Sequence, residues 1–238
     1  MTEDRSERVV ITGAGRGLGL EFTRQYLAAG AGVFALARHP DASTGLQALL
    51  TAHPDRLRTA EADVTDGPLI AAAHDAVRSQ WEGIDVLINN AGTYGPHEAT
   101  LQSLDLGEVR DVLEINTYGP IRVTTALLDL VRLGTHPRVV NITSLMGSIG
   151  DNTSGGSWAY RISKAALNMV TRNMAHELTP LGIAVIALHP GWVRTDMGSH
   201  RAPLEAPESV REMISTISQL TLEQGGRFLD RTGHPLPW

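Results

Sequence analysis

The sequence predicts an α/β fold, a single doubly wound domain in which a seven-stranded parallel sheet is flanked by helices. Short apolar runs recur along the whole chain, helical-period segments separate them, and the runs are continuously apolar, as strands covered on both faces require. The strand runs are 9–12, 33–37, 57–60, 84–89, 138–142, 184–188 and 227–229, and the helical segments are 17–29, 69–80, 105–133, 158–178 and 207–221. No Pro/Ser-rich linker and no solenoid-period repeat divides them, so residues 1–238 read as one domain.

Taken in order, each strand delivers a group to its carboxyl end. The first runs into TGAGRGLG, Thr12 to Gly19, and then directly into a helix. That is the context of a turn that cradles a dinucleotide phosphate, although glycines alone also serve bare turns. Leu18 stands where the commonest glycine pattern has its third glycine, so the spacing is set by Gly13, Gly17 and Gly19. The second strand ends at Ala37-Arg38 and the third leads to Asp63-Val64. The fourth ends in NNAG, Asn89 to Gly92, where Ala91 and Gly92 leave room for a ribose and the asparagines can tie strands together. Segment 105–133 carries Asn116 inside EINTYG, a polar residue with no helix-propensity reason to be there. The fifth strand is followed by Ser144. Tyr160 and Lys164, spaced i, i+4, share one face of helix 158–178. Pro190-Gly191 closes the sixth strand. Two polar, Gly/Pro-punctuated stretches, 147–157 and 195–207, are longer than a βα connection needs and read as a substrate wall and a lid.

Composition narrows the function classes. Twenty basic against 26 acidic residues give a net charge of −6 with no run of like charge, which leaves no surface for nucleic acid. Zero cysteines exclude disulfides, a thiolate nucleophile, iron–sulfur clusters and Cys-ligated zinc. Nine histidines include no His-Glu-x-x-His pattern, and His176 beside Glu177 cannot place two ligands on one helix face, so no metal is expected. The stretch 1–8 is polar, and no run reaches the roughly 18 apolar residues of a membrane span, so a cytoplasmic protein without a membrane partner is expected.

In this order and spacing TGAGRGLG, NNAG, Asn116, Ser144, Tyr160-x-x-x-Lys164 and Pro190-Gly191 resemble the short-chain dehydrogenase/reductase family over essentially the whole chain. The segments NTSGGSWAYRISKAALNM, LHPGWVRTDMG and GRFLDRTGHPLPW are similar to its C-factor and sniffer-type carbonyl reductases. The resemblance implies a Rossmann-like sheet of order 3-2-1-4-5-6-7 and a catalytic set of Asn116, Ser144, Tyr160 and Lys164. Tyr160 is then the proton donor, its pKa lowered by the Lys164 ammonium and the oxidised nicotinamide. Ser144 donates to the carbonyl oxygen, and Asn116 positions a water that refills Tyr160 through Lys164, which also holds the nicotinamide ribose.

The implied cofactor contacts are Gly13, Arg16, Gly17, Leu18, Gly19, Arg38, Asp63, Val64, Asn90, Ala91, Gly92, Tyr160, Lys164, Pro190, Gly191, Val193 and Thr195. Enzymes selective for NAD present a carboxylate after the second strand and those selective for NADP an arginine, so Arg38, with Arg16 flanking, points to NADP(H). The reaction read from this set is NADPH-dependent reduction of a ketone or aldehyde. A hydrophobic or aryl substrate would be lined by Tyr94, Met146, Ile149, Trp158, Trp192 and Met197. A homodimer or homotetramer would form through helices 105–133 and 158–178. The alternatives are a dinucleotide-binding regulatory or signalling protein of the C-factor type, which has no need of a proton relay, and an NAD-dependent secondary-alcohol dehydrogenase, which Arg38 opposes.

Overall fold

A computed structural model describes residues 6–96 and 99–238; the first five residues of the polar stretch 1–8 lie outside the described residues. The strands are β1 (Arg8–Thr12), β2 (Gly32–Ala37), β3 (Leu57–Glu61), β4 (Val86–Asn89), β5 (Arg138–Ile142), β6 (Ala184–His189), β7 (Val193–Arg194), β8 (Leu204–Glu205) and β9 (Phe228–Asp230). Seven form one all-parallel sheet in the order β3-β2-β1-β4-β5-β6-β9, while β7 and β8 pair by themselves, β8 inside the stretch 195–207 and β7 just ahead of it.

Alternation along the strands builds two cores. Val9 and Ile11 face one layer, where Phe22 and Tyr26 of α1 (Gly17–Ala28), Leu46 of α2 (Thr44–Ala52) and Met213 of α7 (Ala206–Ser218) close over them. Val10 faces the other, with Ile70 and Val77 of α3 (Gly67–Gln80), Leu127 of α5 (Gly119–Val131) and Leu178 of α6 (Trp158–Leu178). A buried ion pair pins the foot of the sheet: Arg8 grips Asp85 through Nη2 at 2.7 Å and Nε at 3.0 Å.

Two helical assignments need correction. Helix α2 is absent from the sequence reading, although Ser43 caps it by accepting the Leu46 N–H at 3.2 Å. Segment 105–133 is not one uniform helix. It comprises α4 (Leu106–Leu113), a π-helical stretch at Glu114–Tyr118 around Asn116, and α5. Among the described residues no helix is long and apolar enough to cross a membrane. Because strand order reverses between β1 and β4, their carboxyl ends diverge into a crevice, the position where open α/β sheets bind ligands.

Candidate active site

The floor of the crevice is the turn between β1 and α1. Gly13 and Gly17 adopt φ of +65° and +55°, which side-chain-bearing residues rarely accept. At Gly19 a Cβ would overlap the Gly13 carbonyl oxygen and lie 2.6 Å from Asn90 Nδ2. The backbone is thereby left bare at the start of α1, whose first N–H groups carry positive dipole charge. Leu18, partly buried, packs into the core beneath. These residues fit a dinucleotide pyrophosphate.

NNAG is locked to this turn. Thr12 Oγ1 accepts the N–H groups of Asn90 and Ala91, both at 3.0 Å, and Asn90 Nδ2 donates to Thr12 O at 2.9 Å. Asn89 Nδ2 bridges Thr124 and Asn141, and Asn141 Nδ2 reaches Thr171 at 2.9 Å, a buried polar ladder that fixes β4 and β5 against α5 and α6.

Ser144, Tyr160, Lys164 and Asn116 converge beyond β4 and β5, all buried. The Ser144 hydroxyl accepts the Met146 N–H at 3.1 Å and faces the Tyr160 phenol. Gly147 lets this segment lie directly on Lys164, since a Cβ there would come within 2.7 Å of the Lys164 backbone. Lys164 Nζ donates to Ile142 O at 2.9 Å and lies 5.7 Å from the Tyr160 ring centre.

The expected lowering of the Tyr160 pKa is not produced by the protein's own groups. Burial pushes the phenol up to about 12 and the Lys164 amine down to about 8, and the Ser144 hydroxyl offsets only part of the first shift. Asn116 also differs from expectation. Its Nδ2 donates to Thr93 O at 2.8 Å and Ser163 Oγ at 3.0 Å, and its Oδ1 accepts the Thr93 N–H at 2.8 Å. Both Nδ2 hydrogens are used, so the side chain fastens the segment after NNAG to α6, and a water would meet it only as a donor to the second lone pair of Oδ1.

Several contributors lie outside the quartet. Tyr94 stacks on Tyr160 with ring centres 4.4 Å apart. Its hydroxyl pairs with Ser157 Oγ at 2.8 Å, which takes that side chain away from capping α6 although Ser157 sits at the helix start with a left-handed φ of +46°. Tyr94 was read as pocket lining; the stack on Tyr160 was not legible. His189, pushed down to about 4 by burial, stays neutral and accepts the Leu145 N–H at 3.3 Å next to Ser144.

The cofactor residues read from sequence fall around the same crevice. Asp63 sits beyond β3; burial opposes its ionisation, but the Thr65 N–H and hydroxyl it accepts, with Arg38 and Arg122 nearby, hold it below the ordinary carboxylate range. Val64 is buried and its carbonyl accepts from Arg122. Gly92 lies against the Asn116 amide and the Lys164 amine. Pro190 O accepts the Ser209 hydroxyl at 2.7 Å, Gly191 takes φ +86°, and Val193 is buried in β7. Thr195 reaches back to Gly17, its Cγ2 3.9 Å from where a Cβ on that glycine would be.

Arg38 is exposed and lines a depression of about 480 Å³ with His39, Asp41, Thr59 and Glu61. Arg16, expected to flank it, is exposed and has its Nη1 paired with Asp196 Oδ2 at 2.8 Å. The proposed substrate wall is open, with Ile149 80% and Trp192 57% exposed.

The profile of the short chain dehydrogenase family matches residues 7–205. The chain is 35% identical to the 1-hydroxy-2-glutathionyl-2-methyl-3-butene dehydrogenase of a Rhodococcus species, over 97% of this chain and 99% of the relative. It is 50% identical over 155 residues to the C-signal of Myxococcus xanthus, which is 65% of this chain and 93% of that one. Among solved structures, an NADPH-bound carbonyl reductase from chicken fatty liver superposes with a TM-score of 0.92 at 35% identity, covering 98% of this chain and all of the other. The carbonyl reductase Sniffer of D. melanogaster gives 0.93 at 33% over the same extents.

Proposed function

The chain belongs to the short-chain dehydrogenase/reductase family of oxidoreductases, and on that premise we propose that it reduces a hydrophobic or aryl ketone or aldehyde with NADPH. The observation that carries this reading is the buried Tyr160 phenol facing Ser144 beyond the carboxyl ends of β4 and β5. NADPH, when bound, supplies the hydride. Gly13, Gly17 and Gly19 expose backbone to its pyrophosphate, Asp63 and Val64 lie at its adenine end, Arg38 meets the 2′-phosphate, and Lys164 holds the ribose near the reacting carbon. Two carbonyl reductases and a short-chain dehydrogenase/reductase among the similar structures, solved with NADPH or NADP, support this cofactor.

Tyr160 then gives its proton to the carbonyl oxygen, while Ser144 donates a hydrogen bond to the same atom as negative charge develops there. A phenol held up to about 12 carries the proton that reduction consumes, but burial makes it a weaker acid than free tyrosine, so its activation falls to the bound cofactor and to Lys164. Lys164, near 8, exchanges a proton readily at physiological pH and lies beneath the Tyr160 ring, where it can refill the donor. The proposal includes a cytoplasmic homodimer or homotetramer; Tyr118, Ile121, Ile162 and Met169, exposed in the stretch from the π-helical turn to α6, support the assembly.

The similarity to C-signal favours a second reading, a regulatory protein that binds the dinucleotide without turning over a carbonyl. NADPH absorbance followed over a panel of aryl ketones, diketones and aldehydes separates the two. Consumption supports the reductase, whereas tight NADPH binding without consumption on any member supports the regulator.

A further inference from the structure

The closing motif, GRFLDRTGHPLPW, takes no part in the chemistry described so far, yet it is built with care. After β9, Asp230 Oδ1 accepts the N–H groups of Thr232 and His234, both at 2.9 Å, and Gly233 turns the chain at φ +87°. The chain then runs back along β9, the edge strand of the sheet, with Asp230 N donating to His234 O at 2.9 Å and Leu236 N to Phe228 O at 2.8 Å. In an antiparallel pair only alternate residues turn their N–H groups towards the partner. His234 and Leu236 hold those positions. Pro235 and Pro237, which have no N–H, hold the outward ones, so this returning segment satisfies β9 and offers no new edge of its own.

The segment ends against the base of the open loop. Trp238 O accepts the Gly150 N–H at 2.9 Å and the Ser148 hydroxyl at 3.1 Å. The Trp238 ring is held in turn by Phe228, with ring centres 5.5 Å apart, and by the Arg172 guanidinium at 5.9 Å. Ser148 follows Gly147, which lies on Lys164, and the loop it begins returns to the chain at Ser157, which holds Tyr94 on Tyr160. The loop is therefore suspended between Ser144 and Tyr160, and the base of its first limb is tied to Trp238.

We infer that residues 231–238 are a positioning strap for loop 148–157, and that Trp238, through this strap, sets how large a carbonyl substrate the site accepts. The inference rests on the reductase reading for its second half only. Trp238 touches no reacting atom; it acts by keeping Ile149 and its neighbours at a fixed distance from Tyr160.

The experiment uses Trp238→Ala, which removes the ring anchor, Leu236→Pro, which removes the N–H that the strap donates to the Phe228 carbonyl of β9, and Trp238→Phe, which keeps an aromatic ring as control. Amide hydrogen exchange at 149–156 and NADPH affinity are measured on each, with KM and kcat for a small aliphatic aldehyde and a bulky aryl ketone. The expected result for Ala and Pro is exchange at Gly150 at least tenfold faster, KM for the bulky ketone changed about tenfold, and kcat, aldehyde KM and NADPH affinity within twofold of wild type. The Phe variant should stay near wild type throughout. Unchanged exchange at Gly150 in both variants overturns the strap. Faster exchange with an unchanged ratio of the two KM values overturns the specificity role. A wild type that consumes NADPH on no carbonyl overturns the reductase reading and with it the specificity role, while the exchange data still decide the strap.

Discussion

Replacing Arg38 by alanine tests how the site tells NADPH from NADH. Arg38 directly follows β2, and a charge-assisted hydrogen bond from an arginine contributes roughly 1.5 to 3 kcal/mol. Two features place the effect at the low end. The side chain is exposed, and Asp41 and Glu61 line the same depression, so their carboxylates oppose the 2′-phosphate that Arg38 attracts. At about 1.5 kcal/mol, Arg38→Ala should weaken NADPH binding about tenfold and leave NADH binding unchanged. Arg16 is itself largely exposed, at 73%, and shares its charge with Asp196, so its contact with the phosphate is an exposed charge pair worth about 0 to 1 kcal/mol. Arg16→Ala should therefore cost NADPH only about two- to threefold. The assay is fluorescence titration of both dinucleotides against wild type and both variants at fixed ionic strength. An Arg16→Ala loss larger than that of Arg38→Ala, or an equal loss for NADH, would refute the assignment of the selecting cation.

Three further outcomes follow from the geometry. Tyr160→Phe should lower kcat at least about 100-fold and leave NADPH affinity within twofold, since only the phenol oxygen is lost; stopped-flow turnover and titration on one preparation check both. Gly19→Ala forces a Cβ against the Gly13 carbonyl and within 2.9 Å of Ala14 Cα, so it should cost about 1 to 3 kcal/mol in urea unfolding and weaken NADPH as the turn shifts. Asp85→Asn strands the Arg8 guanidinium in the core and should cost about 3 to 5 kcal/mol at neutral pH. Burial opposes ionisation of Asp85, but Arg8 and the Thr135 N–H hold its carboxyl below the usual carboxylate range. Its stabilisation is therefore whole above about pH 4 and lost as pH falls through the lower folded value. Urea midpoints between pH 6 and 2 should fall more steeply in wild type than in the variant.

The sheet was legible because parallel strands buried on both faces leave continuous apolar runs, and all seven appear within two residues of their expected starts. The implied order 3-2-1-4-5-6-7 is the observed one. Of the residues proposed as catalytic, Ser144 was legible just beyond the end of the fifth strand, and Tyr160 and Lys164 as an i, i+4 pair on one helix face. Helix α2 was missed since Thr44, Gly45 and Thr51 weaken its helical pattern, although Ser43 ahead of it was a readable cap. What no local pattern carries is pairing across the chain. The Arg16–Asp196 pair spans 180 residues, Tyr94 meets Ser157 over 63, and Ser148 meets Trp238 over 90. Asn116 was found for the right reason, a polar residue in a helix, and its side chain proved to be a fastener.

Ser157 gives its hydroxyl to Tyr94 and leaves the first turn of α6 without a side-chain cap, a contact ordinarily worth about 1 kcal/mol. That turn carries Tyr160, so the proton donor rides on a turn held by side-chain packing, the Tyr94 stack and Ala159 against Val109 and Val112, and not by a cap. Warming should therefore loosen the donor before it melts the fold. Over a band of temperature below the unfolding transition the molecule would keep its far-ultraviolet circular dichroism and stand idle, then resume turnover on cooling. Its ceiling for work is set by one turn of helix.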